Sequence, residues 1–222
     1  MKIETIDVEV GGSGTSSGNT GDSGGEGTGS FPPFDEPNRE AARLGIVSWF
    51  VILTVMMTFV ILFAAYVVIS TNRAMEWKPF ALPGQIWISS VLIGLSSIAL
   101  EISLKSLRRR FVTWMKMGLV STAALGAAFV ASQAICWLEL VNRGYTLEGN
   151  PYAGFFYFLT VLHALHVTGG LIWLGYATLI SFSFDVTKVP ARAIAVTQGA
   201  TRYWHFMGVL WVSIVLLLGF WK

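Results

Sequence analysis

The sequence predicts an all-α fold: a polytopic membrane helix bundle with five transmembrane helices. Three observations carry this. Hydrophobic residues make up 54% of the 222 and charged residues only 13%, whereas soluble chains carry about 25% charged residues. The apolar residues arrive in blocks rather than amphipathic stripes, each long enough to cross a hydrocarbon core of about 30 Å as a helix. Lys and Arg gather at block ends, and the net charge of +2 is too small to suggest a nucleic-acid partner. A single cysteine, Cys136, excludes an intrachain disulfide and any cysteine-pair metal knuckle.

Residues 1–30 read as a disordered tail, because the Gly/Ser/Thr run from Gly11 to Ser30 buries too little apolar area to offset its ordering entropy. No cleavable signal peptide is expected, since the stretch before the first apolar block is polar. Residues 31–43, opening with Phe31-Pro32-Pro33-Phe34, read as an extended lead-in to the membrane. The membrane domain then covers 44–222. Its first helix is expected over Leu44–Ile69 and its second over Gln85–Leu104, with Pro83 as a sensible helix entry. The remaining three are expected over Met117–Leu138, Phe155–Ile180 and Tyr203–Trp221.

Basic residues predict the orientation. Eleven Lys and Arg fall on the N-terminal side of the bundle and four on the other. That places the N-terminus in the cytoplasm and the C-terminus in the periplasm. Trp77, Trp87, Trp114, Trp137, Tyr145, Tyr203, Trp204 and Trp221 fall near block ends, as an interfacial aromatic belt requires.

The fourth block organises the rest. It carries His163 and His166 at i and i+3, hence on one helix face. Gly169, Gly170 and Gly175 follow, small residues that let a neighbouring helix approach closely. Polar groups inside a membrane are costly, so each is a functional candidate. The others are Ser89, Ser90, Ser96, Ser97 and Glu101 in the second block, Ser132, Gln133 and Glu139 in the third, and Trp204-His205 at the head of the fifth. The histidines admit two readings. A b-type haem would need His205 facing His163 or His166 across a ring. An offset of about two helical turns between them, at 1.5 Å per residue, speaks against it. The alternative makes them polar contacts between helices or to a lipid headgroup. Glu101, four residues before Lys105, reads as half of a surface ion pair or as a proton-relay carboxylate. Cys136 reads as a small apolar filler.

Several motifs together resemble a known family. They are Phe63-Ala64-Ala65-Tyr66; Leu82-Pro83, Trp87, Ser89, Ser96-Ser97 and Glu101; and Gly126, Gln133 and Trp137. Asn150-Pro151, Phe155-Phe156-Tyr157, Leu159-Thr160, His163, Leu165-His166 and Gly169-Gly170 continue the pattern. Tyr203-Trp204-His205-Phe206 and Leu210-Trp211 complete it. From Gly45 to Trp221 the chain resembles subunit III of haem–copper oxidases, in the five-helix bacterial form. Three positions where that family usually carries a carboxylate are Val55, Gln198 and Gly208 here. A proton-handling role tied to those carboxylates therefore does not carry over.

The resemblance implies a non-catalytic subunit of a respiratory terminal oxidase in a bacterial inner membrane. It implies no redox cofactor in this chain, with haem and copper in partner subunits. The implied partners are oxidase subunits I and II, phospholipid, and other respiratory-complex subunits. The implied role is to stabilise catalytic subunit I and to support proton uptake through helix packing and bound lipid. Structural or lipid-contact roles are expected for His163, His166, Trp204, His205, Trp87, Glu101 and Gln133. A haem b-carrying quinol oxidoreductase subunit, or a subunit III-like partner of a nitric oxide reductase, remains open as an alternative.

Overall fold

Each apolar block becomes one helix, and each helix runs past the block that predicts it. The computed structural model describes residues 36–72, 75, 77–80, 82–109, 111–145, 150–183 and 191–221. The helices are α1 (Glu36–Asn72), α2 (Gln85–Arg108), α3 (Val112–Asn142), α4 (Pro151–Phe182) and α5 (Ala191–Phe220). All five are long and apolar enough to cross a membrane. The expected tail of residues 1–30, and residues 31–35 of the expected lead-in, lie outside the described residues.

Three boundaries depart furthest from the sequence reading. Helix α1 takes in residues 36–43, α3 begins at Val112 and α5 begins at Ala191. The α5 extension is the largest. Its first turns, from Ala191 to Thr201, are rich in Ala, Thr and Gly and so fall below an apolar-block criterion. Those small residues are nevertheless buried: Ala193, Ala195, Val196, Thr197, Ala200 and Thr201 all face the bundle. The smallness that hides the segment from hydropathy is what lets it pack closely.

Local chemistry sets the ends. Gly144, with φ +81°, closes α3 in a left-handed turn in which Tyr145 N–H donates to Leu140 O at 3.1 Å. Asn150 caps α4: its Oδ1 accepts from Tyr152 N–H at 3.1 Å and its Nδ2 donates to Lys78 O at 2.9 Å. One side chain thus starts α4 and ties down the loop before α2. At the same end, two tyrosines meet the last carbonyls of α5, which lack partners within their own helix. Tyr152 OH donates to Leu218 O and Tyr66 OH to Trp221 O, each at 2.8 Å.

Helix α5 packs on α1, α2 and α4, while α3 packs on α2 and α4. The α2/α3 pair is the tightest. A Cβ on Gly118 would meet Ser103 Cβ at 2.6 Å, and Ser103 Oγ donates to Met115 O at 2.8 Å. Chain alternation brings the start of α1, the end of α2, the start of α3, the end of α4 and the start of α5 to one end of the bundle. Arg39, Arg43, Lys105, Arg109, Lys116 and Arg192 gather there.

Candidate functional site

The buried polar groups lie where helices meet, and most are spent on joining them. On α2, Ser90 and Ser96 are six residues apart and both hydroxyls meet α5. On α5, Trp204 and Trp211 are seven residues, two turns, apart and run in the opposite direction. Trp204 Nε1 donates to Ser96 Oγ at 2.9 Å and Trp211 Nε1 to Ser90 Oγ at 3.0 Å. Both indoles are fully buried. An indole N–H in an apolar interior needs an acceptor, and each hydroxyl supplies one. Between α2 and α3, Gln133 Nε2 donates to Ser89 Oγ at 2.7 Å, and Ser89 and Ser132 hydroxyls lie 3.0 Å apart. Between α3 and α4, Trp137 Nε1 donates to Thr160 Oγ1 at 3.1 Å.

Glycines make room for the large rings. A Cβ on Gly126 would meet Trp204 Cη2 at 2.5 Å, and one on Gly170 would meet Tyr203 Cε1 at 2.9 Å. Gly169 and Gly175 have nothing within 4 Å of a Cβ, so only Gly170 of the α4 trio receives a neighbouring helix. Tyr203 and Trp204 accordingly sit midway along α5 and are buried, not at its end in an aromatic belt. Trp87, 71% exposed near the start of α2, does suit such a belt.

The three histidines diverge. His163 is fully buried. Its ring stacks on Trp211 with centroids 5.4 Å apart and meets Phe129 edge-on at 5.9 Å and Phe59 at 6.4 Å. Among the described residues neither of its nitrogens has a hydrogen-bond partner. His166 turns back on its own helix, with Nδ1 2.7 Å from Leu162 O, and its carbonyl accepts from Tyr203 OH at 3.0 Å. His205 faces α2, where Nε2 lies 3.7 Å from Glu101 Oε2.

The Tyr203–His166 bond sets His166 beside the part of α5 that carries His205, whereas His163 stacks on Trp211, six residues further along, so an offset close to the expected one remains for His163. The three rings point in different directions. His205 and Trp211, the indole on which His163 stacks, are about 120° apart around α5 and about 9 Å apart along it. With that indole against the ring of His163, His205 cannot share an axial pair with it.

Glu101 pairs with Lys105 at 3.6 Å as expected, but the structure adds His205 on its other oxygen. Two further features were not legible from residue types. Arg202 lies inside α5 rather than in the connection before it, its guanidinium over Trp49 at 5.9 Å and its Nε with no hydrogen-bond partner among the described residues. The Trp211–Ser90 bond was missed as well. Its only signal was two serines six residues apart on α2 and two tryptophans seven apart on α5.

Five apolar spans, joined by interior hydroxyl–indole and amide–hydroxyl bonds, define a multi-pass membrane protein built for helix packing. Comparison with known proteins narrows this. The family model for cytochrome c oxidase subunit III matches residues 35–222, and the chain belongs to that family. It is similar to the probable cytochrome c oxidase subunit 3 of Mycobacterium leprae, 29% identical over 180 residues, covering 80% of this chain and 86% of that protein. The cytochrome c oxidase subunit 3 of Corynebacterium diphtheriae is 29% identical over 174 residues, covering 74% and 82%. The quinol oxidase subunit 3 of Bacillus subtilis is 26% identical over 190 residues, covering 83% and 92%. The chain is thus a subunit III of a haem–copper oxidase and a multi-pass bacterial membrane protein.

Proposed function

We propose that this subunit is non-catalytic and braces catalytic subunit I of a respiratory terminal oxidase, beside subunit II. It supports proton uptake through helix packing and bound phospholipid rather than by relaying protons itself. The observation that carries this reading is the use made of the histidines. One is enclosed by Trp211, Phe129 and Phe59, one is folded back on its own helix, and one faces a carboxylate on α2. Such rings hold helices in place. Val55, Gln198 and Gly208, at the positions where the family usually has carboxylates, support an indirect effect on protons, since none of them ionises.

The basic end of the bundle faces the cytoplasm, leaving the C-terminus in the periplasm. The groove between α1 and α4, lined by Leu62, Ala65, Ile69, Gly154, Phe155 and Phe158, is apolar and suits an acyl chain. Haem and copper reside in the partner subunits. The test compares oxidase purified with and without this chain. The reading expects initial turnover near the wild-type rate and a faster loss of activity during turnover when the chain is missing. An immediate loss of oxygen reduction with the haem centres intact would overturn it.

A further inference from the structure

We propose that the α2/α5 face around Glu101 and His205 is the docking surface for a transmembrane helix of the catalytic subunit, a helix carrying a hydrogen-bond donor at that depth. This rests on the bracing role above and names the face that performs it. Two independent observations meet here. The first is shape. A groove of about 400 Å³ runs between α2 and α5, lined by Ser90, Gly94, Ser97, His205, Gly208 and Ser213 together with the larger Ile93, Val209 and Val212. Small side chains on both walls allow another helix backbone to come close.

The second is charge. On α2, Ser90, Gly94, Ser97, Glu101 and Lys105 recur every three or four residues and so share one face. Glu101 and His205 side chains are 43% and 41% exposed on it. Each lies sixteen residues, about 24 Å of helix, from the Gln85 or Trp221 end. That depth is still inside a hydrocarbon core of about 30 Å. Lys105 can extend its ammonium to the membrane surface, whereas the shorter Glu101 side chain reaches less far. A half-exposed carboxylate facing lipid there is costly, so protein covers it.

The distances say what that protein supplies. Lys105 and His205 stand 3.6 and 3.7 Å from Glu101, beyond hydrogen-bond reach. The carboxylate therefore keeps acceptor sites open for a hydroxyl, amide, indole or guanidinium donor from outside. The α1/α4 groove differs: Leu62, Ala65, Ile69, Pro151, Gly154, Phe155 and Phe158 line it, and none ionises.

The test uses the assembled oxidase. A benzophenone amino acid replaces Val209, which is 66% exposed on the groove's α5 wall. Irradiation should give an adduct with the mass of this chain plus the catalytic subunit. An adduct with phospholipid alone overturns the proposal, as does a catalytic-subunit adduct only from benzophenone at Phe158 in the α1/α4 groove. In a second arm, Gly94→Leu and Gly208→Leu together fill the groove. A Cβ at Gly94 meets nothing within 4 Å and one at Gly208 meets Ser97 Oγ at 3.7 Å and Ile93 Cγ1 at 3.9 Å, so the first carbon of each added side chain fits without displacing this chain. The doubly substituted chain should reach the membrane with wild-type thermal stability and lose the catalytic subunit on purification. Stoichiometric retention overturns the docking assignment while leaving the bracing role standing. A wild-type chain that co-purifies with no haem–copper oxidase subunit overturns both.

Discussion

Gly126→Ala tests the packing at its tightest point. The added Cβ would lie 2.5 Å from Trp204 Cη2 and 2.8 Å from Leu171 Cδ2. Carbon atoms prefer about 3.5–4.0 Å, so the overlap is about 1 Å. The ring cannot easily retreat, because Trp204 is fully buried and its Nε1 is bonded to Ser96 on α2. Overpacking of this kind costs about 1–3 kcal/mol. A retreat that broke the indole bond would strand a buried N–H at a cost of about 1–3 kcal/mol instead. Against this stands the helix preference of Ala over Gly, up to about 1 kcal/mol. The net expectation, overpacking less that preference, is a loss of about 1–2 kcal/mol. Gly169→Ala is the control: its Cβ meets nothing within 4 Å, so it should be neutral or gain stability. Thermal unfolding of the detergent-purified chain reads both, at about 2–4 °C per kcal/mol for a chain of this size. A Gly126→Ala midpoint at or above wild type would refute the close fit of Trp204 against α3.

Three further outcomes follow from the same geometry. His163→Phe should be as stable as wild type or more so, because it removes two buried nitrogens without partners and keeps a ring against Trp211. An unpaired buried polar group costs about 1–3 kcal/mol, and a lower midpoint would mean that His163 has an unrecognised partner. Ser89→Ala should destabilise by about 1–3 kcal/mol in the same assay, since it strands the Gln133 amide between α2 and α3. Tyr152→Phe should raise amide hydrogen exchange near Phe220 and Trp221 by loosening the end of α5, with little change in the midpoint; unchanged exchange there contradicts the cap.

The five spans were legible because membrane helices announce themselves by length and apolarity, a signal that survives loss of every detail of packing. Helix ends were not. Ala191 to Thr201 shows why: small residues are weakly hydropathic yet pack most closely, so the segment looked like a connection and turned out to be buried helix. That error propagated to the histidines, giving His205 the wrong depth and Trp204 the wrong environment. Gln133 was legible as an intramembrane polar group, and its partner Ser89 was among the candidates. The pairing itself was not, because it depends on the register of α2 against α3. His163 looked like a ligand or a hydrogen-bonding group by residue type. Only three-dimensional packing reveals that aromatic rings surround it. The pairing of Glu101 with His205 likewise needs the α2/α5 register, which no local pattern encodes.

The most direct test of the central claim is the haem content of the isolated chain, read as its absorption spectrum after purification away from the other oxidase subunits. A chain that uses its imidazoles to hold helices together shows no Soret band. A stoichiometric Soret band with the signature of two histidine ligands would contradict the account and make this subunit an electron carrier.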